Sequence, residues 1–159
     1  MTERLQPRVG ARAVIEHEGK VLLLRAEEPG RLYYFLPGGH VQHGERLQEA
    51  VLREVKEETG LDVEIVRALG VREFIAARHA RRAKNVPPNH HVVAVIFLCR
   101  LKGTTKEQFT CDAGAQGVTG LEWIDLSRVT GLELHPPHLK DLLTRGLARQ
   151  DFCFWPEET

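Results

Sequence analysis

The chain has 159 residues, about the size of one domain, and 42% of them are hydrophobic, which is enough for a buried core. Its 22 basic and 22 acidic side chains give a formal net charge of zero, so no overall field attracts nucleic acid or a membrane surface. No apolar run reaches the roughly 20 residues that span a bilayer, and the first residues lack an apolar signal segment. We therefore expect one cytoplasmic domain, residues 1–159, in which a local site meets any anionic substrate.

The first part of the chain predicts short strands. The predicted strands are residues 9–16, 21–25 and 33–36, of which the first two form a hairpin. Residues 27–31 contain Pro-Gly and predict a loop. Tyr33, Tyr34 and Phe35 either stack on a nucleobase or pack in the core, and core packing is the more common role of strand aromatics.

The longest predicted helix spans Leu47–Thr59 and changes character along one face. It contains no Gly or Pro, and Gly60 stands at the position of a left-handed C-terminal cap. At about 100° per residue, three apolar side chains and three glutamates share one azimuth. The apolar members are Leu47, Ala50 and Val51, and the acidic members are Glu54, Glu57 and Glu58. Because the core-facing stripe turns into carboxylates, we expect them to point along the domain body toward a cleft.

The crowding of these glutamates predicts a positive partner. Glu54 lies three and four residues before Glu57 and Glu58, a spacing at which like charges repel by roughly 0.2–0.5 kcal/mol per pair. Glu57 and Glu58 also lie at the negative end of the helix dipole. A solvated acidic face is the ordinary alternative, but a hard cation such as Mg²⁺ prefers oxygen ligands. We predict a metal site here, next to a turn at Gly38 and Gly39 where backbone can approach a ligand closely.

These residues resemble a complete Nudix box. The matching positions are Gly39, Glu45, Arg53, Glu54, Val55, Glu57, Glu58, Gly60 and Leu61. The resemblance implies an α/β fold, a Nudix-like α/β/α sandwich with a mixed central sheet. It also implies that Glu54, Glu57 and Glu58 hold Mg²⁺, for which Mn²⁺ could substitute, with the Gly38 carbonyl as a further ligand. Arg53 then fixes the Glu57 carboxylate, although a plain surface ion pair is the simpler alternative.

The function implied by the resemblance is metal-dependent hydrolysis of a phosphoanhydride. The expected substrate is a small molecule, a nucleoside diphosphate linked to a group X, such as a nucleotide or nucleotide sugar. Arg53, Glu57 and Glu58 are the expected catalytic residues, and a metal-activated water is the expected nucleophile. A general base outside the box has three candidates, Glu107, Asp112 and Glu122. The alternative from another class is a non-catalytic nucleotide-sensing or interaction module on the same fold.

Residues 78–89 form a predicted connection that carries several cations. Its basic residues are Arg78, Arg81, Arg82 and Lys84. A connection this long is often functional. Two readings stay open, a mobile flap in which Arg81 and Arg82 bind the substrate, and a solvated hairpin tip. His40 and His43, in the loop that enters the helix, are likewise either phosphate donors or solvated.

The remaining segments complete the predicted fold. We expect one or two strands over residues 62–77, with an interruption near Gly70, and a central strand over 91–101 that is buried on both faces. A loop over 102–119, a strand over 120–126 and a closing helix over 137–150 should follow. Phe152, Phe154 and Trp155 either pack on the body or form a homodimer contact. Cys99, Cys111 and Cys153 are odd in number without zinc-like spacing, which predicts free thiols.

Overall fold

The computed structural model describes residues 5–78, 86–103 and 117–155. Its strands are β1 (Arg8–His17), β2 (Lys20–Glu28), β3 (Arg31–Phe35), β4 (Gly38–His40), β5 (Val63–Ile75), β6 (His91–Leu101), β7 (Val118–Asp125), β8 (Leu134–His135) and β9 (Cys153–Trp155). Its helices are α1 (Leu47–Thr59) and the short α2 (Leu139–Asp141), which continues as a wide π-type turn over Leu142–Gly146. No helix within the described ranges is long and apolar enough to cross a membrane.

The strands form one mixed, bent sheet with two wings. The strand order is β8-β3-β2-β1-β6-β5-β9, with β4 added to β1 and β7 added to β2. The β1–β2 hairpin turns through Glu18 and Gly19, both at positive φ, as a two-residue hairpin requires. β1 pairs with β2 only beside that turn, whereas residues 8–15 pair in parallel with β6. The first wing (β4, β1, β6, β5 and β9) therefore diverges from the second wing (β3, β2, β7 and β8).

The two helices lie on opposite faces of the first wing. Ala11 and Ala13 of β1 pack in the cluster that contains the buried face of α1, whereas Val14 packs in the cluster that contains α2. Adjacent residues of a strand point to opposite faces, so the helices sandwich the sheet between them. The α/β/α arrangement with a mixed sheet is thus confirmed, and burial of both clusters provides the main stabilisation.

Most of the predicted elements are confirmed with small changes in their bounds. Helix α1 has the predicted bounds, and β5 is a single strand whose pairing with β6 shifts register just before Gly70. β6 is central, but its residues alternate between buried and partly exposed instead of being buried on both faces. The predicted glycine turn is wrong in detail, because Gly38 and Gly39 pair with β1 as part of the short strand β4.

The predicted closing helix is too long. Regular α-helix covers only Leu139–Asp141, and the chain is no longer helical well before residue 150. The Thr144 hydroxyl donates to the Lys140 carbonyl at 2.7 Å, a side-chain bond that competes with the regular backbone pattern. The apolar stripe is nevertheless used as expected, because Leu139, Leu142 and Leu143 are buried in the core.

The C-terminal aromatic residues divide between the body and the solvent. Trp155 of β9 packs against the core, and its ring stacks on His138 with 5.2 Å between the ring centroids. Phe152 and Phe154 are 58% and 62% exposed. Packing on the body is thus observed for Trp155, and a homodimer contact remains a prediction. Cys99 and Cys153 are free thiols, as expected, and Cys111 lies outside the described residues.

Candidate functional site

Helix α1 presents its second half to the glycine strand β4. Its first turn is fixed by a hydrogen bond from the Arg46 amide to the Glu49 carboxylate at 2.9 Å. Its last turn ends at Gly60, which has a φ of 73° and donates to the Lys56 carbonyl. Between these ends Val55 is buried in the core, so neighbouring positions on that face lie beside β4.

Glu58 is the buried acid of the site. Glu58 is only 6% exposed, and its Oε2 accepts a hydrogen bond from the Gly38 amide at 2.7 Å. Burial raises the pKa of Glu58 to about 7, against the opposing effects of the Gly38 amide and the Arg12 charge. A carboxylate in this environment is stabilised by any further positive charge that comes within reach.

The Glu54 carboxylate lies beside Gly39, the other residue of the glycine pair. A Cβ atom on Gly39 would fall 2.3 Å from Cδ of Glu54, so the carboxylate occupies the space that any other residue would fill. Gly38 is required for a different reason, since its φ is 136° and a Cβ would fall 2.2 Å from the Ala11 carbonyl oxygen. The glycine pair therefore brings the carboxylates of Glu54 and Glu58 to the same strand.

Arg53 connects the glutamates of the site. Its guanidinium donates to both oxygens of Glu45 at 2.7 and 2.9 Å, to Glu54 at 2.8 Å and to Glu57 at 3.2 Å. The hydrogen bonds from Arg53 lower the pKa of Glu45 to about 2. The predicted contact between Arg53 and Glu57 is confirmed. Its main partner is Glu45, for which the sequence had indicated only a favourable position near the helix start.

Glu57 does not join the other two acids. Its side chain is 58% exposed and lies on the Arg53 side of the helix. In the described part of the chain, no group of three His, Cys, Asp or Glu side chains is arranged to hold a metal ion. The structure thus brings Glu54 and Glu58 together and leaves Glu57 outside them, linked through Arg53.

Arg12 is a site residue that the sequence reasoning missed. Its guanidinium donates to the Gly38 carbonyl, the oxygen predicted as a metal ligand, and its charge acts on both Glu58 and Glu54. Burial lowers the pKa of Arg12, and the two carboxylates oppose that effect. The available signal was its position, because Arg12 is the one charged residue within the apolar stretch 9–15 of the first strand.

The other candidate residues are distributed as follows. Glu122, on β7, accepts a hydrogen bond from the Tyr34 hydroxyl at 2.9 Å, and Tyr34 is buried in the core as expected. His43 is exposed, whereas His40 is partly buried with its ring 6.4 Å from that of His90. The candidates Arg81, Arg82, Glu107 and Asp112 lie outside the described residues.

The donor set of the site fits a hard divalent cation. Glu54 and Glu58 offer carboxylate oxygens beside Gly38 and Gly39, which have no side chains, and oxygen is the ligand atom that Mg²⁺ and Mn²⁺ prefer. The buried Glu58 also has a raised pKa that a cation would offset. The Gly38 carbonyl fits less well as a ligand, since it already accepts from the positive Arg12.

Comparison with known proteins places these features in one family. A family model described as NUDIX domain matches residues 4–145. The chain is 36% identical over 100 residues to an ADP-ribose pyrophosphatase of Methanocaldococcus jannaschii, a match that covers 62% of this chain and 54% of that protein. The matched region thus spans about half the length of that relative. Over 149 residues, 91% of this chain, it is 27% identical to the uncharacterized Nudix hydrolase YvcI of Bacillus subtilis, with 85% of that protein covered.

A solved structure extends the likeness to the fold. The MutT NUDIX hydrolase of Burkholderia pseudomallei superposes with a TM-score of 0.64 at 27% sequence identity. The match covers 90% of this chain and 99% of that one.

Proposed function

The chain belongs to the NUDIX domain family, and from that premise we propose that it is a divalent-metal-dependent pyrophosphohydrolase. Its substrate is a small molecule in which a nucleoside diphosphate is linked to a group X. Hydrolysis breaks one P–O bond of the diphosphate and releases a nucleoside monophosphate and phosphorylated X. Mg²⁺ is the proposed metal, and Mn²⁺ shares its preference for oxygen ligands.

The observation that carries the proposal is the placement of Glu54 and Glu58 against the glycine strand. Two carboxylates meet neighbouring residues of this strand, because Glu58 accepts from the Gly38 amide and Glu54 occupies the space beside Gly39. Arg53 pairs with Glu54, but burial still raises the pKa of Glu58 to about 7 against the charge of Arg12, so a further cation would stabilise the ionised carboxylate. A pure binding module for an anionic nucleotide would not gain from such a pair.

The residues of the chain would hold such a cation as follows. Glu54 and Glu58 would hold the metal, with Glu57 as a further ligand or water-orienting group. Arg53 keeps Glu45, Glu54 and Glu57 at fixed positions through its four short contacts. When bound, the metal neutralises the diphosphate and lowers the pKa of a coordinated water.

The first experiment measures nucleoside monophosphate release from a panel of substrates. The panel includes ADP-ribose, because a relative carries that name, together with nucleoside triphosphates and other nucleotide sugars. We expect release with Mg²⁺ and none in EDTA. Glu58→Gln should lose most of the activity and stay folded, whereas Glu64→Gln, at an exposed acid of β5, should match the wild type.

A second measurement separates metal binding from catalysis. Mg²⁺ should raise the thermal midpoint of the wild type and of Glu64→Gln, and should leave that of Glu58→Gln unchanged. Nucleotide binding without hydrolysis of any panel member, in the presence of Mg²⁺ or Mn²⁺, would instead support the non-catalytic nucleotide-sensing module.

A further inference from the structure

A cationic cluster lies on the face of the first wing opposite α1, across the edge strand β4 from the glutamates. His40 of β4 and Arg72 of β5 occupy the same transverse row of the sheet, with Gly10 and Ala94 between them. Residues of one row project from the same face. Arg8 and Arg12 stand two positions before and after Gly10 on β1, so they project from this face as well. We define the cationic cluster as Arg8, Arg12, His40, Arg72 and His90.

Contacts and charges tie the members of the cluster together. The rings of His40 and His90 are 6.4 Å apart, and the ring of Phe74 is 6.0 Å from that of His90. The Arg72 guanidinium lies 5.1 Å above the Phe74 ring. The pKa of His90 is lowered by burial first, and then by the charges of Arg8, Arg12 and Arg72. Arg72 and His90 therefore both contact the Phe74 ring, and His40 contacts His90.

Only small residues, Gly10 and Ala94, lie on the sheet between Arg72 and His40. Gly10 has no side chain, and a Cβ there would already meet Cβ of Ala94 at 3.3 Å. A ligand can therefore approach the sheet between Arg72 and His40. A groove of about 230 Å³ continues from His90 past Ile75 and Pro88, which leaves room for a larger group beyond the cluster.

The cluster adjoins the predicted metal site through Arg12. The Arg12 guanidinium donates to the carbonyl of Gly38, whose amide donates to Glu58, and His40 lies two residues further along the same strand. A substrate that reaches the two carboxylates through a metal ion can therefore reach the cluster with a neighbouring group. Three arginines at one place, in a chain of zero formal net charge, favour an anionic ligand at that place, and the two histidines, with lowered pKa values, add hydrogen-bonding groups.

We propose that the cationic cluster binds a phosphate group of the substrate outside the metal-bound diphosphate, so that the preferred group X is a phosphate or is attached through one. This inference rests on the proposed function and specifies its substrate class. Planar guanidinium groups bind phosphate oxygens with paired hydrogen bonds, whereas an uncharged sugar gains less from them. Nucleoside triphosphates and dinucleoside polyphosphates are therefore better substrates than nucleoside diphosphate sugars.

The first test needs no catalysis. Inorganic triphosphate is titrated into the metal-free protein in EDTA by calorimetry, and Arg72→Gln and Arg8→Gln are compared with the wild type. We expect each variant to bind at least about fivefold more weakly. Arg100→Gln is the matched control, because Arg100 is an exposed arginine near the other end of β6, and it should bind as the wild type does. Equal affinity in the wild type, Arg72→Gln and Arg8→Gln overturns the proposal.

The second test measures selectivity. The ratio of kcat/KM for a nucleoside triphosphate to that for the corresponding diphosphate sugar should exceed one in the wild type. It should fall about tenfold in Arg72→Gln, mainly through KM, and Arg72→Lys should restore part of it. If Arg72→Gln fails to fold, Arg8→Gln, at an exposed position, gives the same comparison.

The two tests separate this proposal from the proposed function. If no substrate is hydrolysed but triphosphate binding depends on Arg72 and Arg8, the cluster is a phosphate site and the hydrolase assignment fails. If hydrolysis is normal and the selectivity ratio is the same in the wild type and in both variants, the cluster does not choose the substrate.

Discussion

Replacement of Glu58 by Gln is the sharpest perturbation of the site. Gln has the same shape as Glu, and its amide oxygen can still accept the hydrogen bond that Glu58 receives from the Gly38 amide. The substitution therefore removes a buried negative charge and leaves the packing in place. Its effect on the metal-free protein reports the cost of that charge.

The magnitude follows from the raised pKa. The pKa of Glu58 rises from an ordinary 4.5 to about 7 in the folded protein, chiefly through burial. One pKa unit corresponds to about 1.4 kcal/mol, so the ionised carboxylate costs roughly 3 kcal/mol of folding free energy. A raised folded-state pKa means that the folded protein holds the proton more tightly than the unfolded chain. The contribution of Glu58 to stability is therefore full below the unfolded pKa and is lost as pH rises through the folded pKa.

The assay is urea unfolding in EDTA at about pH 5 and about pH 8. Other groups also titrate in this range, so the informative quantity is the difference between Glu58→Gln and the wild type at each pH. We expect the variant to gain about 2 kcal/mol relative to the wild type between the two pH values. Glu57→Gln is the matched control, because Glu57 is the next residue along α1 and its side chain is 58% exposed. It should show no such gain.

Addition of Mg²⁺ at about pH 8 should recover stability in the wild type and not in Glu58→Gln. The reasoning fails if the free energies of unfolding of Glu58→Gln and the wild type keep the same difference at both pH values. It also fails if Glu57→Gln gains as much as Glu58→Gln, since the cost would then come from the charge of the helix end and not from burial.

The parts of the fold that follow from local pattern were predictable. Helix α1 has strong formers and a glycine cap, and its stripe ends in glutamates, so both its bounds and its acidic face could be read from the chain. The apolar stripe of the closing helix predicted its buried face and not its length, since regular α-helix covers only Leu139–Asp141 before the wide turn over Leu142–Gly146. The pairing of Gly38 and Gly39 with β1 is a long-range contact that no local pattern reveals.

The site was predictable in composition and not in arrangement. The spacing of Glu54, Glu57 and Glu58 predicts that they share one side of the helix. That side is broad, so Glu58 can be buried while Glu57 is exposed. Which of them meets the glycine strand depends on how α1 crosses the sheet. Arg12 reaches the site from β1, 26 residues before its partner Gly38, so only the folded chain brings them together.

Three further predictions concern Gly39, Arg53 and Trp155. Gly39→Ala should weaken Mg²⁺ binding about tenfold with little loss of stability, because the new Cβ displaces the Glu54 carboxylate, and calorimetry with Mg²⁺ would show this. Arg53→Lys should lower kcat about tenfold or more, because lysine cannot bind both oxygens of Glu45, and an unchanged kcat would remove Arg53 from the catalytic set. Trp155→Ala should lower the free energy of unfolding by about 2 kcal/mol, since its ring packs against the core between the wings. That ring lies away from the glutamates, so the folded variant should bind Mg²⁺ with the wild-type affinity. A loss of affinity comparable to that of Gly39→Ala would show that β9 helps to position the site.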